Sequence, residues 1–263
     1  MSYLDAIVAQ RRRDIRSEKR FVPIETLQAM AAERSPMRGF AAALRSEPPA
    51  IVAEIKRASP SSGAIDERCN PATTAAAFVA GGAAALSVLT EPRNFRGSFA
   101  DLQSARNAVT VPVLCKDFIV DDFQVWKAAA FGADAVLLIV AILGESRLRD
   151  FVRLSAALSL AAVVEVHTPQ EATMAVNADA RIIGINNRNL ETFQVDLATA
   201  PRICAALPAD RIVIAESGYS SAGQLHSAMS AGIHAFLVGE ALMRSHDRGN
   251  AVRELREVHA WSE

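Results

Sequence analysis

The chain has 263 residues, 51% of them apolar and 22% charged, which suits one large globular domain or two small ones with a sizeable core. Its 28 Lys and Arg balance 29 Asp and Glu for a formal net charge of -1, which argues against a general nucleic-acid partner and leaves room for a local basic pocket. Cys69, Cys115 and Cys204 form no CxxC pair and predict a reduced, cytoplasmic setting. The longest apolar run, Ala135 to Leu143, is too short to cross a bilayer, so no membrane partner is expected.

Residues 3–20, YLDAIVAQRRRDIRSEKR, read as a charged amphipathic helix without a signal-peptide core, with Arg11-Arg12-Arg13 on a solvated face. Residues 1–48 are expected to form a helical extension that ends near Pro48-Pro49. Apolar β-type runs then recur at 51–56, 85–90, 111–116, 134–140, 161–166, 181–186, 211–217 and 234–239, with helical stretches between them. Gly132 and Gly232 fall where those stretches should end, and glycine suits a helix C-terminus. The strands are continuously apolar, as strands buried on both faces are. Eight strand–helix units predict a (β/α)8 barrel, with the whole chain, 1–263, read as one domain. A doubly wound sheet is the alternative, but no GxGxxG follows the first strand.

Polar residues should gather at the strands' C-terminal ends, where barrel active sites sit. The first strand ends in Glu54 and Lys56, which period-two spacing puts on one face with Ile55 opposite. Ser87 and Thr90 end the second, and Lys116 the third, with Asp117 beside it. Glu165 and His167 follow on the fifth, Asn186 and Arg188 on the sixth, and Glu216 and Ser217 on the seventh. Burying such charges is costly, and an alternation of opposite signs around the mouth would make it tolerable. Gly218 after the seventh strand, and Gly239 with Glu240 after the eighth, suit a phosphate site, with Lys56 and Ser59 on the first strand and loop, adjacent in a closed barrel.

Structural readings compete with each of these. Glu54 and Lys56 alone could be an ion pair, a lone Lys116 a solvated charge, and Gly218 and Gly239 plain turns. Phe95 and Phe118 would more often pack a core than touch a ligand, and Trp126 and Cys115 read as packing residues. His167 reads as a supporting side chain.

Taken together, the motifs are recognisable. AEIKRASPSSG (53–63), LSVLTEPRNFRGS (86–98), VLCKDFIVDDFQ (113–124), GADAVLLIVAIL (132–143), VVEVHT (163–168), IGINNRNLETF (183–193), IAESGY (214–219) and FLVGEALM (236–243) resemble the indole-3-glycerol phosphate synthase family, in order and over nearly the whole chain. The resemblance implies ring closure of 1-(2-carboxyphenylamino)-1-deoxyribulose 5-phosphate with loss of carbon dioxide and water, and implies no cofactor and no metal. It makes Lys116 the general acid and Glu165 the base, with Lys56 at the substrate carboxylate or in the acid steps. Glu54 and Asn186 then orient Lys56 and the substrate hydroxyls, with Glu216 close by. Ser59, Arg188, Ser217, Gly218, Gly239 and Glu240 surround the phosphate and anthranilate ends, and Phe95, Phe118 and Leu138 form the wall against the anthranilate ring. It also implies that the 1–48 segment helps cover the mouth, and it raises other enzymes of tryptophan synthesis as partners. The chain departs from the family at Ser62, where a lysine is common, and around Lys127-Ala128-Ala129, expected on a helix. Two rivals stand beside this reading: a Schiff-base aldolase using Lys116, and a barrel kept as a non-catalytic subunit.

Overall fold

The computed structural model describes residues 3–257. Eight parallel strands close into a barrel: β1 (Ala50–Ile55), β2 (Ala85–Leu89), β3 (Val113–Lys116), β4 (Ala135–Ile139), β5 (Ala161–Val166), β6 (Ile182–Asn186), β7 (Ile212–Glu216) and β8 (Ala235–Val238). Each strand pairs with its neighbours in sequence, and β8 closes onto β1 with Ala50 opposite Ala235. All eight expected strands are present, and observed and expected ends differ by at most two residues. A ribbon of Ala58–Ser59 against Gly63–Ala64 folds the loop after β1.

Local chemistry starts and stops the helices. Asn70 accepts from the N–H groups of Ala72 and Thr73 to begin α4 (Pro71–Ala80), and Ser98 likewise begins α5 (Phe99–Ala108). Asp121 caps α6 (Asp122–Ala130), and Thr168 caps α8 (Pro169–Asn177); α7 (Val140–Ala157) runs straight on from β4. Further round lie α9 (Thr199–Cys204), α10 (Ala222–Met229), α11 (Glu240–Arg244) and α12 (Arg248–Arg256). Gly132 and Gly232, with φ of 84° and 86°, leave their helices in the left-handed conformation that glycine adopts without a Cβ penalty. Lys127 to Ala129 lie on α6 as expected.

Two concentric cores result from the period-two alternation of the strands. Ile51, Ala53 and Ile55 point outward into the layer shared with the helices, whereas Ala50 and Val52 point into the barrel beside Ala85, Leu114, Ala135 and Leu137. Before the barrel come α1 (Tyr3–Glu18), α2 (Ile24–Glu33) and α3 (Phe40–Leu44). Phe40 and Leu44 plug the N-terminal end of the barrel, joining the inner core. Ile15 and Leu27 pack with Phe123 and Ala130 of α6, so α1 and α2 run up the barrel's side. Residues 1 and 2 of the extension, and 258–263 at the other end, lie outside the described residues.

Candidate active site

At the barrel's C-terminal end the inner layer turns from apolar to charged. Glu54 points inward from β1, and its Oε1 lies 2.7 Å from Lys56 Nζ, just past the strand. Lys116 ends β3, and its Nζ lies 2.5 Å from Glu216 Oε2, 3.7 Å from Glu165 Oε2 and 3.9 Å from Glu54 Oε2. Three buried carboxylates thus converge on one ammonium, and a second ammonium, Lys56, pairs with Glu54. Gly184 on β6 makes room for this, because a Cβ there would collide with Glu216 Oε1.

The titration of the cluster follows from that convergence. Burial works to lower the Lys116 pKa, but the charges of Glu216, Glu165 and Glu54 outweigh it, and the ammonium holds its proton more tightly than a free lysine. Burial pushes Glu216 up to about 7, aided by Glu165 and opposed by Lys116. Burial also acts to raise Glu54, yet Lys56 and Lys116 overcome it and hold this carboxyl below its ordinary range. Carboxyl groups in one cluster thus titrate at well-separated pH, which suits proton transfer near neutrality.

His167 supports Glu165 from behind. Its Nε2 lies 3.4 Å from Glu165 Oε1 and its Nδ1 3.3 Å from Glu171 Oε2, while its backbone N–H donates to the same Glu171 oxygen. Burial opposes the charged imidazole, but its hydrogen bond to Glu171 and the charges of Glu165, Glu171 and Glu216 raise its pKa.

Above the charges opens a cavity of about 400 Å³ whose lining is largely apolar. Phe95 and Phe118 both line it and pack against each other, ring centroids 6.0 Å apart and planes tilted by 41°. Phe95 is held by Glu91, a buried carboxylate that accepts the backbone N–H groups of Arg93, Asn94 and Phe95. Leu138, expected in this wall, is elsewhere: it is fully buried in the outer core. Its neighbours Leu137 and Ile139 line the cavity, since a one-residue step along a strand reverses the face.

The other end of the cavity is polar. Lys56, Ser59, Arg188, Ser217, Gly218, Gly239 and Glu240 all line it, with Asn186 beside them. Ser217 and Gly218 both take positive φ, 66° and 90°, which turns the chain sharply after β7. At Gly239 an added Cβ would lie 2.5 Å from Glu54 Oε1 and 2.9 Å from Lys56 Nζ, so glycine here leaves space for the ion pair. Asn186 Oδ1 accepts the N–H of Arg188, and Arg188 Nη1 donates to the Phe193 carbonyl, which folds the loop after β6 inward. Ser62 donates its hydroxyl hydrogen bond to Glu240 Oε2 at 2.7 Å, and Arg244 Nε donates to Oε1 at 2.9 Å. Burial would raise Glu240, but these partners keep its carboxyl below the ordinary range.

Two expectations about the mouth fail for one reason. Arg11 is not solvated; only 2% exposed, it forks onto Asp117, with Nε 3.0 Å from Oδ1 and Nη2 2.7 Å from Oδ2. Asp117 therefore turns away from Lys116, and Thr90 Oγ1 donates to it from β2. Ser87 sits deeper, fully buried inside the barrel. The N-terminal segment expected to help cover the mouth reaches the cavity through Tyr3, Leu4 and Ile7 of α1, residues the sequence did not single out. The signal was present as a stripe at four-residue spacing, Ile7, Arg11 and Ile15, which are the buried positions of α1. Among the described residues, no group of three or more His, Cys, Asp or Glu could hold a metal ion.

Comparison with known proteins places this geometry. The family model described as indole-3-glycerol phosphate synthase matches residues 4–255. A protein of that name from Rhodococcus opacus is 45% identical over 255 residues, covering 97% of this chain and 95% of the relative. Another from Desulfosudis oleivorans is 44% identical over 256 residues, covering 96% and 97%. Among solved structures, thiamine phosphate pyrophosphorylase from Pyrococcus furiosus superimposes with a TM-score of 0.60 at 18% identity, over 78% of this chain and 92% of that one, a likeness of fold alone. With its barrel closed, its charges gathered at one mouth and these relatives matched nearly end to end, the chain belongs to the indole-3-glycerol phosphate synthase family.

Proposed function

We propose that this protein closes the pyrrole ring of 1-(2-carboxyphenylamino)-1-deoxyribulose 5-phosphate by general acid–base catalysis, and that Lys116 and Glu165 carry the proton transfers. The observation that bears most weight is the convergence of Glu54, Glu165 and Glu216 on Lys116 below an apolar cavity. The ring carbon that bears the carboxylate attacks the ketose carbonyl carbon, and Lys116 gives its proton to the oxygen as the carbon–carbon bond forms. The carboxylate leaves as carbon dioxide, and its bonding electrons return to the ring. The new hydroxyl then takes a second proton from Lys116, recharged by protonated Glu216 at 2.5 Å, and leaves as water as Glu165 takes the proton whose loss restores aromaticity. Both reacting carbons already belong to one molecule, so the protein's task is placement and proton transfer.

A proton on Glu216, which titrates near 7, weakens the field that holds the Lys116 proton and eases its donation. Lys56, kept in place by Glu54, suits the substrate carboxylate. Phe95 and Phe118, packed against each other, suit one apolar wall for the anthranilate ring, with Leu137 and Ile139 beneath. The phosphate falls to the polar end, where Ser59, Ser217, Gly218, Gly239 and the cation of Arg188 converge; Asn186 and Glu240 shape that end.

A Schiff-base role for Lys116 fits poorly, because an amine nucleophile must be neutral and three carboxylates keep this one charged. A cytoplasmic setting suits the three unpaired cysteines, and among the described residues no helix is long and apolar enough to cross a membrane. Other enzymes of tryptophan synthesis are the partners we would look for.

The deciding experiment mixes the purified protein with the carboxyphenylamino-deoxyribulose phosphate and follows indole fluorescence. A rise that Glu165→Gln reduces by about 10²-fold or more supports the assignment. A native rate in that variant removes Glu165 from the chemistry.

A further inference from the structure

The buried guanidinium of Arg11 has no substrate to meet, because its fork is filled by Asp117. Asp117 in turn accepts two more donors, Thr90 Oγ1 at 3.1 Å and the backbone N–H of Phe118 at 2.7 Å. At the end of β3 Lys116 enters the cluster, Asp117 gives its carboxylate to Arg11, and Phe118 lies on the cavity wall. A carboxylate bonded on all sides at the middle position therefore fixes two residues that face the reaction. One turn further along α1, Asp14 takes Nε and Nη2 of Arg93 at 3.1 and 2.9 Å, in the loop that carries Phe95.

We propose that Arg11, acting through Asp117, is a positioning residue for ring closure that sets where Lys116 and Phe118 project. The inference rests on the assignment of Lys116 as proton donor. Stability alone is a weak reason for the pair, since buried ion pairs can often be replaced by apolar side chains without loss. What a bidentate fork supplies is direction. Acid catalysis needs that, because displacement of a reacting group by about 1 Å can cost about 10²-fold in rate.

The test uses the full-length protein with Arg11→Met, Arg11→Lys and Asp117→Asn, and with Arg12→Met as an exposed control on the same helix. Turnover and Michaelis constant are measured well below each variant's melting temperature. Arg11→Met and Asp117→Asn are expected to lose about 10²-fold in kcat with KM changed by less than about threefold. Arg11→Lys, which restores charge but not the fork, should recover part of the loss, and Arg12→Met should match the native protein. A folded Arg11→Met or Asp117→Asn with native kcat overturns the inference, as does a change confined to KM. If neither folds, Arg11→Lys decides: a kcat about tenfold down supports positioning, and a native kcat overturns it. A Lys116→Met chain that still turns over removes the assignment beneath the inference. An inactive Lys116→Met beside fully active Arg11 and Asp117 variants removes the positioning role alone.

Discussion

The two ends of this barrel are built from the same strands and solve opposite problems. At the N-terminal end Phe40 and Leu44 fill the opening against the apolar side chains of Val52, Ala85, Leu114 and Ala135. At the other end, two residues past Val52 and Leu114 on the same strands, Glu54 and Lys116 share one small volume with Glu165 and Glu216. The first end lowers free energy by removing apolar surface from water. The second buries charge at a cost that pairing only partly offsets. The barrel can therefore hold a costly site because its other end, and the outer layer of helices, are apolar.

That contrast predicts that damage at the two ends should differ in kind. The largest effect expected is at the charged end. Lys116→Ala should lower turnover by about 10³-fold or more while largely sparing binding of the phosphate end. A near-native kcat would break the contrast by removing the chemistry from the mouth. Next in size is Phe40→Ala at the plugged end, which should lower unfolding free energy by about 3 kcal/mol in urea. Its kcat per folded molecule should stay within about threefold of native. A large loss of kcat without a loss of stability would mean that the plug governs the site.

The smallest effect expected sharpens the electrostatic side. Glu216 has its folded pKa raised to about 7 from the ordinary 4.5, so the folded state binds the extra proton between those values. Its contribution therefore makes stability fall as pH rises from about 5 to about 8. Glu216→Gln removes that slope, and its melting temperature relative to the native protein should climb over the same range, by a few degrees at most. A difference in melting temperature that stays constant with pH would mean that Glu216 is ionised throughout.

Sequence patterns placed most of the site because strands impose a period of two and barrels impose an end. The spacing of Glu54 and Lys56, with Ile55 opposite, sent both charges to the inner face, and the structure keeps them 2.7 Å apart. The same rule fails when the phase is off by one, as at Leu138, where the continuous apolar run Leu137-Leu138-Ile139 offers no polar residue to set the phase. Departures at Ser62 and Lys127 were visible too, but only the fold shows that Ser62 bonds Glu240 and that Lys127 reaches Glu18 of α1.

By itself the sequence determined the eight strands, the helices between them, the extension and which residues could carry charge to the mouth. Those follow from local periodicity, caps and apolar runs, which depend on neighbours a few residues away. Only the tertiary structure decided that three carboxylates meet one lysine, that Glu216 titrates near 7, and that Arg11 crosses 106 residues of chain to hold Asp117. Such pairings depend on barrel closure and on where α1 lies, and a one-dimensional pattern records neither distance nor burial.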